Sequence, residues 1–195
     1  MTFLRKLKQN LRSLMFFLGI RKYYIRFVVY NKTIMRVLSV INYYRWQNID
    51  LVIILWPTAF PFFDEINKDI AKLHDIETYE IIKIHENKFE EFIYKLYDID
   101  FANPRKVELK MDLLLSSPSY TLGIVKIRIK KPQMVVQDAL NRVRCDTVGD
   151  LKDSIRRKYM DRIPEYIYDV VIHSTEVDYQ NKKVIKLLKK YSTTT

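Results

Sequence analysis

Few residues of this chain combine the type and the placement that chemistry needs. His173-Ser174-Thr175 closes an apolar stretch, putting an imidazole and two hydroxyls where a strand is expected to give way to a helix. Imidazole is the commonest general acid–base group near neutral pH, and the free amides of a helix start attract anions. His173 is therefore the catalytic candidate, with Ser174 and Thr175 as ligand-binding residues. A second polar turn follows the most apolar stretch: Thr58 can donate or accept a hydrogen bond, and Trp56 and Phe60 can stack on a flat ligand. Lys106 and Lys110 stand one helical turn apart and can counter the charge of a phosphate. Plainer roles compete with each of these. Thr175 with Asp178 can cap a helix, Pro57 and Pro61 can shape a turn, and the two lysines can form a solvated face beside Glu108.

Several chemistries are excluded. With three glycines in 195 residues, Gly19, Gly123 and Gly149, the chain has neither a G-x-G-x-x-G nor a G-x-x-x-x-G-K-[ST] phosphate loop. It has no G-x-S-x-G nucleophile elbow. The single Cys145 forbids an intramolecular disulfide and a cysteine-cluster zinc site, and fits a reducing, cytoplasmic compartment. No pair among His74, His85 and His173 has metal-ligand spacing, so no metal is expected, and no cofactor is indicated.

The elements that must position the candidates follow from periodicity. Residues 51–56 form a continuous apolar run stopped by Pro57, as in a strand buried on both faces. A helix is expected over 62–73 and a strand over 79–84. Asn87 with Glu90, and Asn103 with Pro104, mark two further helix starts. Val125, Ile127 and Ile129 alternate with Lys126, Arg128 and Lys130, which predicts a strand at an edge or in an antiparallel part of the sheet. A helix from Thr147 to Tyr159, a strand over 166–173 and a final helix capped by Ser174 or Thr175 complete the pattern. The alternation predicts an α/β domain over 50–195, a largely parallel four-stranded sheet flanked by helices.

Charge divides the chain. Its net charge is +11, yet residues 1–49 hold ten Lys/Arg and no acid, whereas the other 146 residues hold 24 basic and 23 acidic side chains. Within the first stretch, Phe3, Leu4, Leu7, Leu11, Leu14, Met15 and Leu18 keep helical spacing opposite Arg5, Lys6, Lys8 and Arg12. This predicts a basic amphipathic helical arm over 1–49, with Phe3, Leu7, Leu11 and the four cations as its membrane-binding residues. No uncharged stretch there reaches the roughly 20 residues needed to span a bilayer. The arm suits an anionic cytoplasmic membrane surface; nucleic acid or an acidic partner protein is the alternative, because the same cations neutralise phosphates.

The run Tyr168-Asp169-Val170-Val171-Ile172-His173 before a helix, with Ile54-Leu55-Trp56-Pro57 earlier, resembles small α/β proteins of bacterial surface-polysaccharide gene sets, without matching any one family motif residue by residue. That resemblance implies an envelope-polysaccharide setting. Together these features lead to the expectation of a peripheral membrane, transferase-like protein acting on a phosphate-bearing or nucleotide-activated precursor.

Overall fold

A computed structural model describes residues 48–193 apart from 101, 103, 138–141 and 168. The expected arm, with Phe3, Arg5, Lys6, Leu7, Lys8, Leu11 and Arg12, lies outside the described residues. The chain divides into two compact units, Met1–Arg45 with Met134–Arg144, and Trp46–Gln133 with Cys145–Thr195. The described part of the first contributes to a two-stranded ribbon, β4 (Met134–Gln137) with β5 (Arg142–Cys145).

The second unit holds the candidate residues. Its elements are β1 (Asn48–Leu55), a 3-10 turn (Pro57–Phe62), α1 (Phe63–Ala71), β2 (Asp75–Lys83), α2 (Phe89–Ile99) and α3 (Pro104–Leu115). After β3 (Thr121–Lys130) come α4 (Asp146–Tyr159), β6 (Ile172–Ser174) and α5 (Asp178–Tyr191). The sheet has the order β2-β3-β1-β6, and every pairing in it is antiparallel.

This overturns the parallel sheet expected from the sequence; the fold is α+β. The continuous apolar run of β1 reports cover on both faces, and a central antiparallel strand sandwiched by helices needs the same run as a parallel one. β1 and β2 do point the same way around α1, but β3 lies between them and takes their hydrogen bonds, a split β-α-β arrangement. β3 is thus antiparallel and interior rather than an edge. Its cations are spent on neighbouring strands, Arg128 on Asp50 at 2.8 Å and Lys130 on Asp75 at 2.7 Å.

Side chains alternate across β1. Val52 and Ile54, with Trp56 just beyond, join a core with Phe92, Ile93, Leu96 and Tyr97 of α2, Val107, Met111 and Leu114 of α3, and Val184 and Leu188 of α5. Leu51, Ile53 and Leu55 face the other way, where α1 packs against β2, α4 against β6, and the two helices meet. Gly123 fits closely on that side: a Cβ there would come within 3.1 Å of Leu55 and 3.2 Å of Phe63, so those side chains would have to give by a few tenths of an ångström.

Two local expectations also change. The last strand is three residues long instead of 166–173; Asp169, inside that range, adopts left-handed backbone (φ 53°) that interrupts an extended run. Neither Ser174 nor Thr175 caps α5, whose N-cap is Val177. Gln180 Oε1 instead accepts the Glu176 and Val177 amides at 2.7 and 3.2 Å, satisfying donors ahead of the first turn.

Candidate functional site

Pairing of β6 with β1 sets the direction of His173. Directly opposite residues of an antiparallel pair share a face, and His173 lies opposite Ile54. The imidazole therefore sits under α2 and α5, almost fully buried. Its Nε2 is 3.0 Å from Oδ2 of Asp100, the residue that ends α2, and the contact is an ion pair when the ring is protonated. Asp100 is itself held: Gln180 Nε2 donates to its Oδ1 at 2.8 Å while the Gln180 oxygen is anchored on the two amides. A backbone-anchored amide thus orients a carboxylate, and the carboxylate faces an imidazole. The approach is close in distance, but the buried Nε2 makes no well-aligned hydrogen bond within the described residues.

Aromatic rings wall the pair. Tyr97 stands edge-on to His173 with centroids 5.1 Å apart, and Trp56 stacks on Tyr97 at 6.1 Å. Lys110 then closes the cluster from α3, donating from Nζ to the Tyr97 hydroxyl at 2.7 Å with its charge 4.3 Å from the ring centroid. Burial pushes the Lys110 ammonium down to about 8; Asp169 works against that shift, and the positive charges of Arg156 and Lys106 add to it. The Tyr97 phenol moves up, through burial first and then through Asp169 and Asp100. It stays neutral, and the lysine keeps a proton that it can give up near neutral pH.

Arg156 of α4 reaches the rim of the cluster. Its Nε is 3.1 Å from Asp169, and its Nη2 donates to the Ile172 carbonyl at 3.3 Å, next to His173. Asp169 tolerates its left-handed backbone better than most residues would.

The structure brings His173 and Lys110 together through Tyr97. Lys106, one turn earlier, is exposed and acts on Lys110 only through its charge. Thr58 donates to the carbonyl of Val170, tying the turn after β1 to the chain entering β6. Ser174 lies opposite Ile53 and so points to the other face of the sheet, where its buried hydroxyl has no partner among the described residues. Thr175 prolongs the β1 pairing: its amide donates to Val52 O at 2.9 Å, and its hydroxyl accepts the Val52 amide at 2.9 Å. Ser174 and Thr175 thus stand apart from the cluster that His173 joins.

Tyr97, Asp100, Gln180, Arg156 and Asp169 were not legible as site residues. Tyr97 reads as an apolar helix position and Arg156 as part of a mixed-charge solvated face. One signal does exist. Lys110 falls on the same helical stripe as Val107, Met111 and Leu114, and a cation on a core-facing stripe is rarely there without a partner.

Among the described residues no helix is long and apolar enough to cross a membrane. No family model and no curated protein matches the chain. Among solved structures, an orthorhombic crystal form of the nucleoside diphosphate kinase of Aquifex aeolicus is similar at 13% identity over 72% of this chain and 94% of that chain, with a TM-score of 0.42. A likeness of that strength carries no argument about what this chain does.

Proposed function

We propose that the cluster around Tyr97 binds a phosphate-bearing ligand and serves a group transfer on it. The observation that supports this reading is the convergence, in one buried place, of an imidazole facing a carboxylate and an ammonium group whose affinity for its proton is lowered. His173 takes the proton of an acceptor hydroxyl as general base, and Asp100 steadies the imidazolium that forms. Lys110 offsets negative charge growing on the phosphate, in surroundings where water screens it little. Lys106 draws the anion toward α3 from outside. Asp100 and Tyr97 are positioning residues, since they act through His173 and Lys110.

The test is calorimetric titration of the full chain with inorganic phosphate, ATP and a uridine-diphosphate sugar. At least one of these binds, Lys110→Met weakens it at least about tenfold, the loss of about 1.4 kcal/mol typical of one charge-assisted contact. His173→Ala retains binding and loses turnover. Absence of binding by all three compounds, or equal affinity in Lys110→Met, overturns the reading; an equally active His173→Ala removes the imidazole from it.

The finer setting, a peripheral transferase on an envelope-polysaccharide precursor at the cytoplasmic leaflet, draws its support from the polysaccharide resemblance and from the acid-free first 49 residues. Arg5, Lys6, Lys8 and Arg12 supply about 1 kcal/mol each near an anionic surface, together only millimolar binding, so the apolar stripe through Phe3, Leu7 and Leu11 must add the rest. Deleting residues 2–18 is expected to release the protein from phosphatidylglycerol vesicles in a sedimentation assay; unchanged sedimentation contradicts the membrane role. Binding of single-stranded RNA with a steep salt dependence, lost in the same deletion, identifies the alternative partner instead.

A further inference from the structure

We propose that two copies of this chain pair through the outer edge of β2. The inner edge of β2 is bonded to β3, and β2 is the last strand on that side of the sheet. Its outer edge is closed at one end by the C-terminal tail: the Thr193 amide donates to Lys83 O at 2.8 Å, and the His85 amide to Tyr191 O at 3.2 Å. At the other end the ladder is interrupted between Ile76 and Thr78, and such bulges turn an edge away from new partners. Residues 78–82 remain between these stops, with no strand beside them among the described residues.

This window is self-complementary. Backbone groups alternate in direction along a strand, and Lys83 O points outward, so Ile81 and Tyr79 present their N–H and C=O groups outward too. Two such windows, laid antiparallel with the two-fold axis at Glu80, set Tyr79 opposite the partner's Ile81 and Ile81 opposite the partner's Tyr79. Each of these pairs exchanges both N–H···O bonds, and an aromatic ring beside a β-branched side chain is a favourable cross-strand pair. Ile81 is 54% exposed, unusual for isoleucine, and Phe60, 48% exposed, stands next to Phe63 on the same face of the sheet. Pairing would cover Ile81 against the partner's Tyr79 across the axis.

Charge does not forbid this register. The two Glu80 carboxylates meet at the axis, but each lies 3.9 Å from Lys126 of its own chain, so two negative and two positive groups gather with no net charge. Lys83 and Glu77 flank the window at opposite ends, and antiparallel pairing brings each Lys83 toward the partner's Glu77, which is also paired with Arg128 of its own chain at 2.5 Å. With the window stopped at both ends, the pairing closes as a two-fold dimer instead of running on into a fibre.

Analytical ultracentrifugation of the full chain at about 100 μM, a concentration suited to a small, weak interface, is expected to show a dimer that Ile81→Lys reduces to monomer. Cysteine cross-linking tests the register separately. At a non-hydrogen-bonded pair the Cα atoms are about 4.5 Å apart, within disulfide reach, so Glu80→Cys cross-links on mild oxidation. Thr78→Cys and Ile82→Cys do not cross-link singly, whereas the double variant does. Cys145 is buried and does not compete. Far-UV circular dichroism of each variant shows that the fold is kept. A monomer at this concentration, or Thr78→Cys cross-linking as fast as Glu80→Cys, overturns the proposal.

Discussion

Trp56→Ala is expected to lower the stability of the domain by about 3–5 kcal/mol, against a total of about 5–15 kcal/mol for a typical domain. Trp56 is fully buried at the end of β1. Its ring is stacked on Tyr97 and lies 6.3 Å from His173, so alanine opens a cavity under both. The backbone survives the exchange, because the Trp56 amide donates to Val171 O at 3.0 Å whatever the side chain. The cost is therefore one of packing, and Trp56→Phe, which keeps an aromatic plane against Tyr97, should recover more than half of it. Urea denaturation of the three proteins measures the series. A loss below about 1 kcal/mol for alanine, the range of surface substitutions, would contradict the closed aromatic stack.

Lys110→Met is expected to gain stability relative to the wild type near pH 7 and to lose that advantage in alkali. The reference ammonium titrates at about 10.4, whereas burial holds Lys110 at about 8 in the folded protein. Below about pH 8 both states carry the proton, and the folded state bears the whole cost of burying it. Between about 8 and 10.4 the unfolded chain keeps a proton that the folded chain has released, so wild-type stability rises with pH through that window. Methionine has nothing to titrate. The difference between the two proteins should therefore shift by about 3 kcal/mol between pH 7 and 11, from the difference in proton affinity at 1.36 kcal/mol per pH unit. Parallel stability curves would show that the ammonium is solvated in the folded state. The same desolvation that destabilises the fold loosens the hold of Lys110 on its proton.

Part of the candidate site was legible in advance and part was not. His173 stood out because an imidazole at a strand end is conspicuous in any fold. Lys106 and Lys110 were paired by their spacing, but spacing cannot separate a buried member from an exposed one, and the structure assigns them opposite fates. Ser174 and Thr175 looked like neighbours of His173 because they are adjacent in the chain. Strand alternation sends Ser174 to the other face, and Thr175 is taken up by Val52, 123 residues away. Asp100 was invisible for the converse reason: 73 residues separate it from His173, and only the packing of α2 and α5 on the sheet brings the carboxylate to 3.0 Å from the ring.

By itself the sequence determined where apolar faces fall, and hence where strands and helices form: the run that becomes β1, the alternation that becomes β3 and the charge asymmetry of the first 49 residues are local or additive properties. Tertiary structure alone decided that the sheet is antiparallel, that β3 separates β1 from β2, and that Tyr97, Asp100, Lys110 and His173 share one buried place. The physical reason is range. Hydrophobic periodicity records how much of a segment is covered, whichever way its neighbours run, whereas strand direction and the meeting of polar groups depend on contacts between residues far apart in the chain.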